Sequence, residues 1–420
     1  MIILIKEVLI VQQHSQYFNT IKDILIEDGI ITKVDNNINE TANIIFNEPN
    51  TQVAAGWIDV FSNFCEPGYE HIETLTSGAD AAIAGGYTQV FILPNTYPTI
   101  SSKTQVNYIT EKSKQLPITL HPLAAISKNI EGKELAEMYD MFQNGAIAFT
   151  DGTNPVQESS LMLKALQYVK NFNGTLLQMP IDNSFSKLGL MNEGIVSTQI
   201  GLQGIPSFAE DLMIKRDIAL LKYTQSKLHI TGISTIESIN LIDDAKQQGL
   251  QITCSISPSS LIFCDEDVAT YDTNFKHNPP LRTRENMMAL RQAVIDGKVD
   301  CIAAHHFPKH IDNKMCEFEY AHYGVIGLQT TFSVINNILP SLSTNNLIDL
   351  FSNNARKIFE LNTPKIEVGE VAELTLFNRK ATYTLTKENN KSKASNSPIF
   401  NVSLTGKVMG IVCKGTLHLN

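Results

Sequence analysis

The sequence predicts an α/β protein, a TIM-type (β/α)8 barrel that carries a small β-sandwich domain formed from both termini. Three observations predict it. Eight short β-rich runs recur between about Gln52 and Lys365, the stretches between them carry helical periodicity, and the residues outside this region read as short strands without helices. The boundaries that follow are residues 1–52 with 366–420 for the sandwich and 53–365 for the barrel. At 420 residues and 43% hydrophobic content, the chain can bury one large core and a smaller one.

In the amino-terminal segment, Ile3–Ile10, Thr20–Glu27 and Gly29–Val34 are β runs, and Asp28-Gly29 between the last two is a hairpin signal. The first barrel strand is the apolar run beginning at Trp57. The next, Thr88–Leu93, stops at Pro94-Asn95-Thr96, and the remaining six are Ile118–Ile126, Ala146–Thr150, Thr175–Gln178, Lys227–Thr231, Gln251–Ser255 and Asp300–Ala304. Helices are predicted over Ser102–Gln115, near Gly132–Asn144, over Ser234–Gln248, where Ile239, Ile242 and Ala245 fall three apart, and over Arg284–Asp296. After Lys365 the runs Glu370–Asn378, Tyr383–Thr386 and Val408–Leu419 return to strands, and the polar stretch Lys387–Ser397 reads as a solvated loop between them.

Composition excludes several classes of function. A net charge of −10 gives no electrostatic support for nucleic-acid or anionic-membrane binding. The opening MIILIKEVLIV carries Lys6 and Glu7 and no small-residue cleavage pattern, so it reads as a strand and not as a signal peptide. No apolar run approaches the ~18 residues of a membrane-spanning helix. The six cysteines form no CxxC pair, which points to a reduced, cytoplasmic setting without a disulfide framework or structural zinc site.

The stretch from Ala55 to Gly68, AGWIDVFSNFCEPG, reads as a buried strand followed by a turn, and alternation aims Phe61 and Asn63 into the same space at its carboxyl end. This frame resembles the first barrel strand of dihydroorotases. The resemblance continues through Glu73-Thr74 with Thr76-x-Gly78, AAIAGGYTQV ending in Leu93-Pro94-Asn95-Thr96-x-Pro98, Met191-Asn192-Glu193-Gly194, GIPSFAEDLMIKRD, HITGISTIES, YDTNFKHNPPLR and Tyr323-Gly324-Val325-Ile326-Gly327. It covers nearly the whole chain, in the manner of dihydroorotases that associate with aspartate carbamoyltransferase.

Such enzymes open or close a cyclic amide using zinc-bound hydroxide, a Lewis acid on the carbonyl and a carboxylate that moves the proton. Carried over position by position, the resemblance implies a degenerate site. The first-strand histidines are Phe61 and Asn63. On the fourth strand Asp151 remains, while its neighbouring acid is Gly152. The fifth-strand histidine is Gln178, the sixth-strand histidine is Gly232, and the eighth-strand aspartate is His305. The arginine that would clamp the substrate carboxylate is Cys65, and the eighth-strand loop reads His305-His306-Phe307-Pro308-Lys309. Asn95 and Asn278 match family asparagines near the substrate, as relics of a binding pocket or as loop caps.

A rearranged metal site could be sought among His305, His306, His310 and His322 with Asp59 and Asp151. Adjacent residues on a strand point to opposite faces, which separates His305 from His306. A lone Asp151 reads as a structural acid, His229 as a packed core residue, and Cys65, without a base beside it, as an inert thiol. The expectation is therefore a pseudoenzyme of pyrimidine biosynthesis that holds no metal cofactor, self-associates and acts as a structural partner of aspartate carbamoyltransferase. The alternative is an active cyclic-amide hydrolase with a rearranged or reduced metal site. A small-molecule sensor using the vacated pocket is a third reading.

Overall fold

Apolar runs with β-branched residues become strands throughout the chain, and a computed structural model describes them across all residues, 1–420. Eight parallel strands form the barrel in chain order: Trp57–Ser62, Tyr87–Ile92, Thr119–Ala124, Ala148–Phe149, Thr175–Gln178, Lys227–Thr231, Gln251–Ile256 and Cys301–Ile302. Trp57–Ser62 and Tyr87–Ile92 are buried at every residue, as expected of parallel strands covered by helices on one side and barrel interior on the other. The barrel closes between its first and last strands. Ser62 bridges His306, the Asn63 amide donates to the His306 carbonyl at 2.9 Å, and the Ala304 amide donates to Asp59 Oδ1 at 2.6 Å.

Amphipathic helices lie between the strands, among them Lys103–Lys114, Ser159–Lys170, Phe208–Thr224, Ile236–Gln247 and Arg284–Ile295. Local chemistry sets several starts. Thr74 and Ser77 make a capping box for Leu75–Ala84, and the Thr235 and Thr283 hydroxyls accept from the Ser238 and Asn286 amides at the starts of Ile236–Gln247 and Arg284–Ile295. The helix expected near Gly132–Asn144 spans only Met138–Gln143. Its first half is held elsewhere: the Lys128 amide bonds the Glu134 carbonyl and the Ala136 amide bonds the Ile126 carbonyl, which leaves no helical ladder to extend.

Both termini build the second sheet, in the order Thr416–Leu419, Ser403–Cys413, Leu374–Thr384, Gln52–Ala55, Ile2–Ile10, Thr20–Glu27, Ile30–Asp35, with Ile44–Phe46 paired beside Ile2–Ile10. The sheet curls on itself. A Cβ placed on Gly29, in the hairpin turn, would lie 3.1 Å from Gly415 Cα in the last hairpin, so the two ends of the order meet. The runs Glu370–Asn378 and Tyr383–Thr386 join into one strand, Leu374–Thr384, through an irregularity after Asn378. Trp57 couples the sheet to the barrel floor, its ring within 5.2 Å of Phe332, Phe351 and Phe377. No helix is long and apolar enough to cross a membrane.

One expectation holds only in part. The polar stretch Lys387–Ser397 is a loop between strands with Lys387, Glu388, Lys391, Lys393 and Ser395 exposed, but Ser392, Asn396 and Ser397 are buried. Asn396 Nδ2 donates to the carbonyls of Phe307 and Gly324, each at 3.0 Å, and its Oδ1 accepts from the Lys309 amide. Ser392 donates to buried Glu73. A segment rich in Lys, Ser and Asn is thus packed over one side of the barrel mouth by hydrogen bonds that composition cannot reveal.

Candidate functional site

The carboxyl ends of the barrel strands bring together most of the positions singled out in the sequence, and each is engaged locally. Phe61, at the end of the first strand, is fully buried, with its ring centroid 4.9 Å from His305 and 6.1 Å from Phe307. Asn63 follows the last strand residue Ser62, its Oδ1 accepting from the Cys65 amide at 2.8 Å and closing a turn in which Cys65 has φ +61°. Burial pushes the Cys65 thiol up to about 12, so it stays protonated and inert near neutral pH.

Asp151 is held by the amides of Ile126 and Ser127, each at 2.9 Å, and by the Ser127 hydroxyl at 2.5 Å. Burial outweighs these bonds and raises its carboxyl to about 6. The second acid that the family resemblance places at 152 has no room there. A Cβ on Gly152 would fall 1.8 Å from Asn95 Oδ1, and Gly152 has φ +60°. Asn95 itself ties two loops, donating to the Asp151 carbonyl at 3.2 Å and accepting from the Thr153 amide at 3.2 Å. Asn278 differs, lining an open cavity at the mouth.

The fifth, sixth and eighth strands are rebuilt in the same sense. Gln178 Nε2 donates to the Val156 carbonyl at 3.2 Å. At Gly232 a Cβ would lie 2.7 Å from His305 Cε1, so a side chain at 232 and the imidazole at 305 compete for one space. His305 Nε2 pairs with Thr231 Oγ1 at 2.9 Å, and burial lowers the imidazole to about 3, keeping it neutral. His306 points the other way, its ring edge-on to Phe64 and its Nε2 3.5 Å from Glu73 Oε2. Asp59 is a closure residue, its carboxylate accepting from Ser62, Phe61 and Ala304. His229 bridges Thr253 and Ser255 inside the barrel at 2.9 and 3.0 Å, and burial lowers it too to about 3.

The zinc pair implied by the resemblance does not fit these residues. Ligand bonds to zinc of ~2.0–2.2 Å require several converging donors. Here no group of three or more His, Cys, Asp or Glu side chains is placed to hold a metal ion. Phe61 and Gly232 offer no donor atom, the oxygens of Asn63 and Asp151 accept from neighbouring backbone amides, and Gln178 keeps a buried Oε1 without a partner but stands without converging ligands. The remaining polar space beneath the mouth is a cavity of about 20 Å³ bordered by His277, His305 and Ser257, large enough for a single water beside the unpartnered Nε2 of His277.

Two functional features escaped the sequence reading. The Glu73, Ser392 and His306 cluster was invisible because Ser392 lies 319 residues from Glu73. The lysines that join Lys309 in the lining at the mouth, Lys187 and Lys276, were equally hidden, although Lys309 itself was visible after Pro308.

Comparison with known proteins agrees with this geometry at the level of the family. Residues 51–238 match the family described as Dihydro-orotase-like. The chain is 36% identical to the dihydroorotase of Thermoanaerobacter sp. (strain X514), over 94% of this chain and 92% of that one. It is 37% identical to the dihydroorotase of Syntrophus aciditrophicus (strain SB), over 86% of each chain. Among solved structures, the L-hydantoinase (dihydropyrimidinase) of Arthrobacter aurescens superposes with TM-score 0.85 at 19% identity, covering 99% of this chain and 95% of that one. The dihydropyrimidinase of Brevibacillus agri superposes with TM-score 0.84 at 17% identity, covering 100% and 95%. These two establish the barrel-plus-sheet fold, and the first two relatives, matched at more than a third identity along nearly the full length, establish that the chain belongs to the dihydroorotase family.

Proposed function

We propose that this chain is a dihydroorotase-like protein of pyrimidine biosynthesis that does not catalyse the reaction and acts instead as a structural partner of aspartate carbamoyltransferase. The observation that carries the reading is the filled mouth. The Phe61 and His305 rings pack at 4.9 Å, tilted by 37°, where the family resemblance implies metal ligands, and His305 takes the space beside Gly232. Zinc in this family supplies the activated nucleophile, and the absence of any group of three or more His, Cys, Asp or Glu side chains placed to hold it supports a non-catalytic reading. Asp151, the one acid retained, is saturated by three hydrogen bonds and is no free proton carrier.

A role in assembly is supported by apolar side chains left on the surface. Phe185 and Phe208 pack edge to face at 5.2 Å while both stay exposed, and Leu212 lies one helical turn beyond Phe208. The test has two arms. Protein purified without chelator should carry substoichiometric zinc and show no dihydroorotase turnover in either direction. Tagged chain should co-purify with aspartate carbamoyltransferase from its own host, and Phe208→Asp should weaken that association. Two equivalents of zinc, or turnover that is lost on changing Asp151 or His305, would overturn the catalytic half; a partner recovered equally well with and without the tagged chain would overturn the other.

A further inference from the structure

Between Phe46 and Gln52 the chain leaves the terminal sheet, and a gap opens there. Ile44–Phe46 runs beside Ile3–Ile5, and Gln52–Ala55 begins only beside Leu9, so Glu7 lies at a level where the neighbouring strand is missing. On the far side Phe377 pairs with Gln52, and the strand Leu374–Thr384 runs on past it to Arg379. Two strand spacings of ~4.8 Å put the flanking backbones roughly 10 Å apart. This gap borders a cavity of about 950 Å³, walled elsewhere by Asn336, Asn337 and Pro340 at the end of the helix Thr331–Ile338, and it shares no residue with the barrel mouth. We propose that the cavity binds an acidic α-amino acid, with Glu7 and the Gln52 amide oxygen taking its ammonium group and Arg379 and Lys380 taking its two carboxylates.

Irregular backbone sets these charges in place. Glu7 has φ +52° in the interruption between Ile5 and Val8 of the pairing with Thr20–Glu27, and its amide donates to Asp23 Oδ1 at 2.8 Å. Arg379 and Lys380 fall in the irregularity between Asn378 and Thr382, where Asn378 Oδ1 accepts from the Lys380 amide at 2.9 Å. Bulges of this kind re-aim side chains and accompany binding sites. Here two of them, on strands that do not pair with each other, flank one cavity.

Glu7, Arg379 and Lys380 are the charged residues of the lining, and none of the three is in an ion pair. Arg379 donates to Asn336 Oδ1, Thr344 Oγ1 and the Leu342 carbonyl at 2.8, 3.0 and 2.9 Å. All three acceptors are neutral, so the guanidinium is fixed in direction, keeps its charge uncompensated and has N–H groups to spare. Gln52 Oε1 is buried without a hydrogen-bond partner, a cost that a donor in the cavity removes. One acid held apart from two bases is the complement of a ligand with one cation and two anions. Guanidinium and ammonium groups suit carboxylates. Neutral amides and hydroxyls make up most of the remaining wall, which favours a ligand without a large apolar side chain.

The test is calorimetric titration of the full chain with L-glutamate and with L-aspartate, each against its analogue lacking the ammonium group, glutarate and succinate, at constant ionic strength. Saturable binding of one equivalent is expected for at least one amino acid, with its analogue at least about tenfold weaker. Glu7 is exposed, so Glu7→Gln leaves the fold intact; it should weaken the amino acid about tenfold, the loss of one charge-assisted contact, and leave the analogue unchanged. Hydrogen exchange of the unaltered protein locates the site without any variant: the bound amino acid should slow exchange in residues 50–53 and 376–381 and not in 305–309. No saturable binding of either amino acid, equal affinity for the analogue, unchanged affinity in Glu7→Gln, or slowed exchange at 305–309 in place of the cavity strands would overturn the proposal.

Discussion

Adding a single methyl group at position 232 probes the rebuilt mouth most directly. A Cβ there would sit 2.7 Å from His305 Cε1, and the backbone has φ +75°. An L residue in the left-handed region costs about 1–2 kcal/mol, and crowding a packed site costs a further ~1–3 kcal/mol. Gly232→Ala is therefore expected to lower the unfolding free energy by about 2–5 kcal/mol. His305→Asn removes the imidazole carbon while keeping a residue that tolerates the φ of +46° at 305. In the double variant the backbone cost persists and the crowding is relieved, so the two changes should couple favourably by about 1–3 kcal/mol. Urea denaturation of the four proteins, followed by circular dichroism and by the fluorescence of Trp57 at the barrel floor, completes the cycle. Additivity within about 0.5 kcal/mol would refute the claim that His305 occupies the space of a side chain at 232.

The remaining predictions concern the groups that hold the mouth. His229, His277 and His305 are lowered by burial to about 3, whereas an unfolded chain protonates its histidines near 6.5. Their stabilisation is thus complete above about pH 6.5 and is lost as pH falls toward 3, at up to about 1.4 kcal/mol per unit for each; His229→Gln should flatten the measured slope by roughly that amount. Asp59→Ala strands the Ala304 and Phe61 amides and the Ser62 hydroxyl, and should cost about 3 kcal/mol or more in denaturant unfolding. Asn396→Ala removes the bonds to the Phe307 and Gly324 carbonyls, and should speed amide hydrogen exchange in the 307–324 loop while leaving the strands Tyr87–Ile92 and Thr119–Ala124 protected.

The elements with a strong internal period were legible from the chain alone. All eight barrel strands, the hairpin at Asp28-Gly29 and the helices over Lys103–Lys114, Ile236–Gln247 and Arg284–Ile295 lie where apolar spacing and turn residues place them. The identity of the residues at the strand ends was equally plain, and alternation carries Phe61 to the interior; His305 and His306 do diverge, but beyond the strand Cys301–Ile302, where His305 has φ +46°. What a residue type can donate is written in the sequence.

Where those donors are directed is not. Asn63 and Asp151 retain oxygens, and only the folded chain shows them bound to the Cys65, Ile126 and Ser127 amides. The crowding of Gly152 by Asn95 and of Gly232 by His305 arises between segments 57 and 73 residues apart. Burial of Ser392 and Asn396 depends on carbonyls and a carboxylate supplied by other loops, so composition read as solvated throughout a loop that is packed at these residues. Local sequence sets backbone preference and the side-chain period; charge clustering at Lys309 and the sealing of the barrel mouth are long-range packing outcomes, decided when distant segments compete for the same space and the same hydrogen bonds.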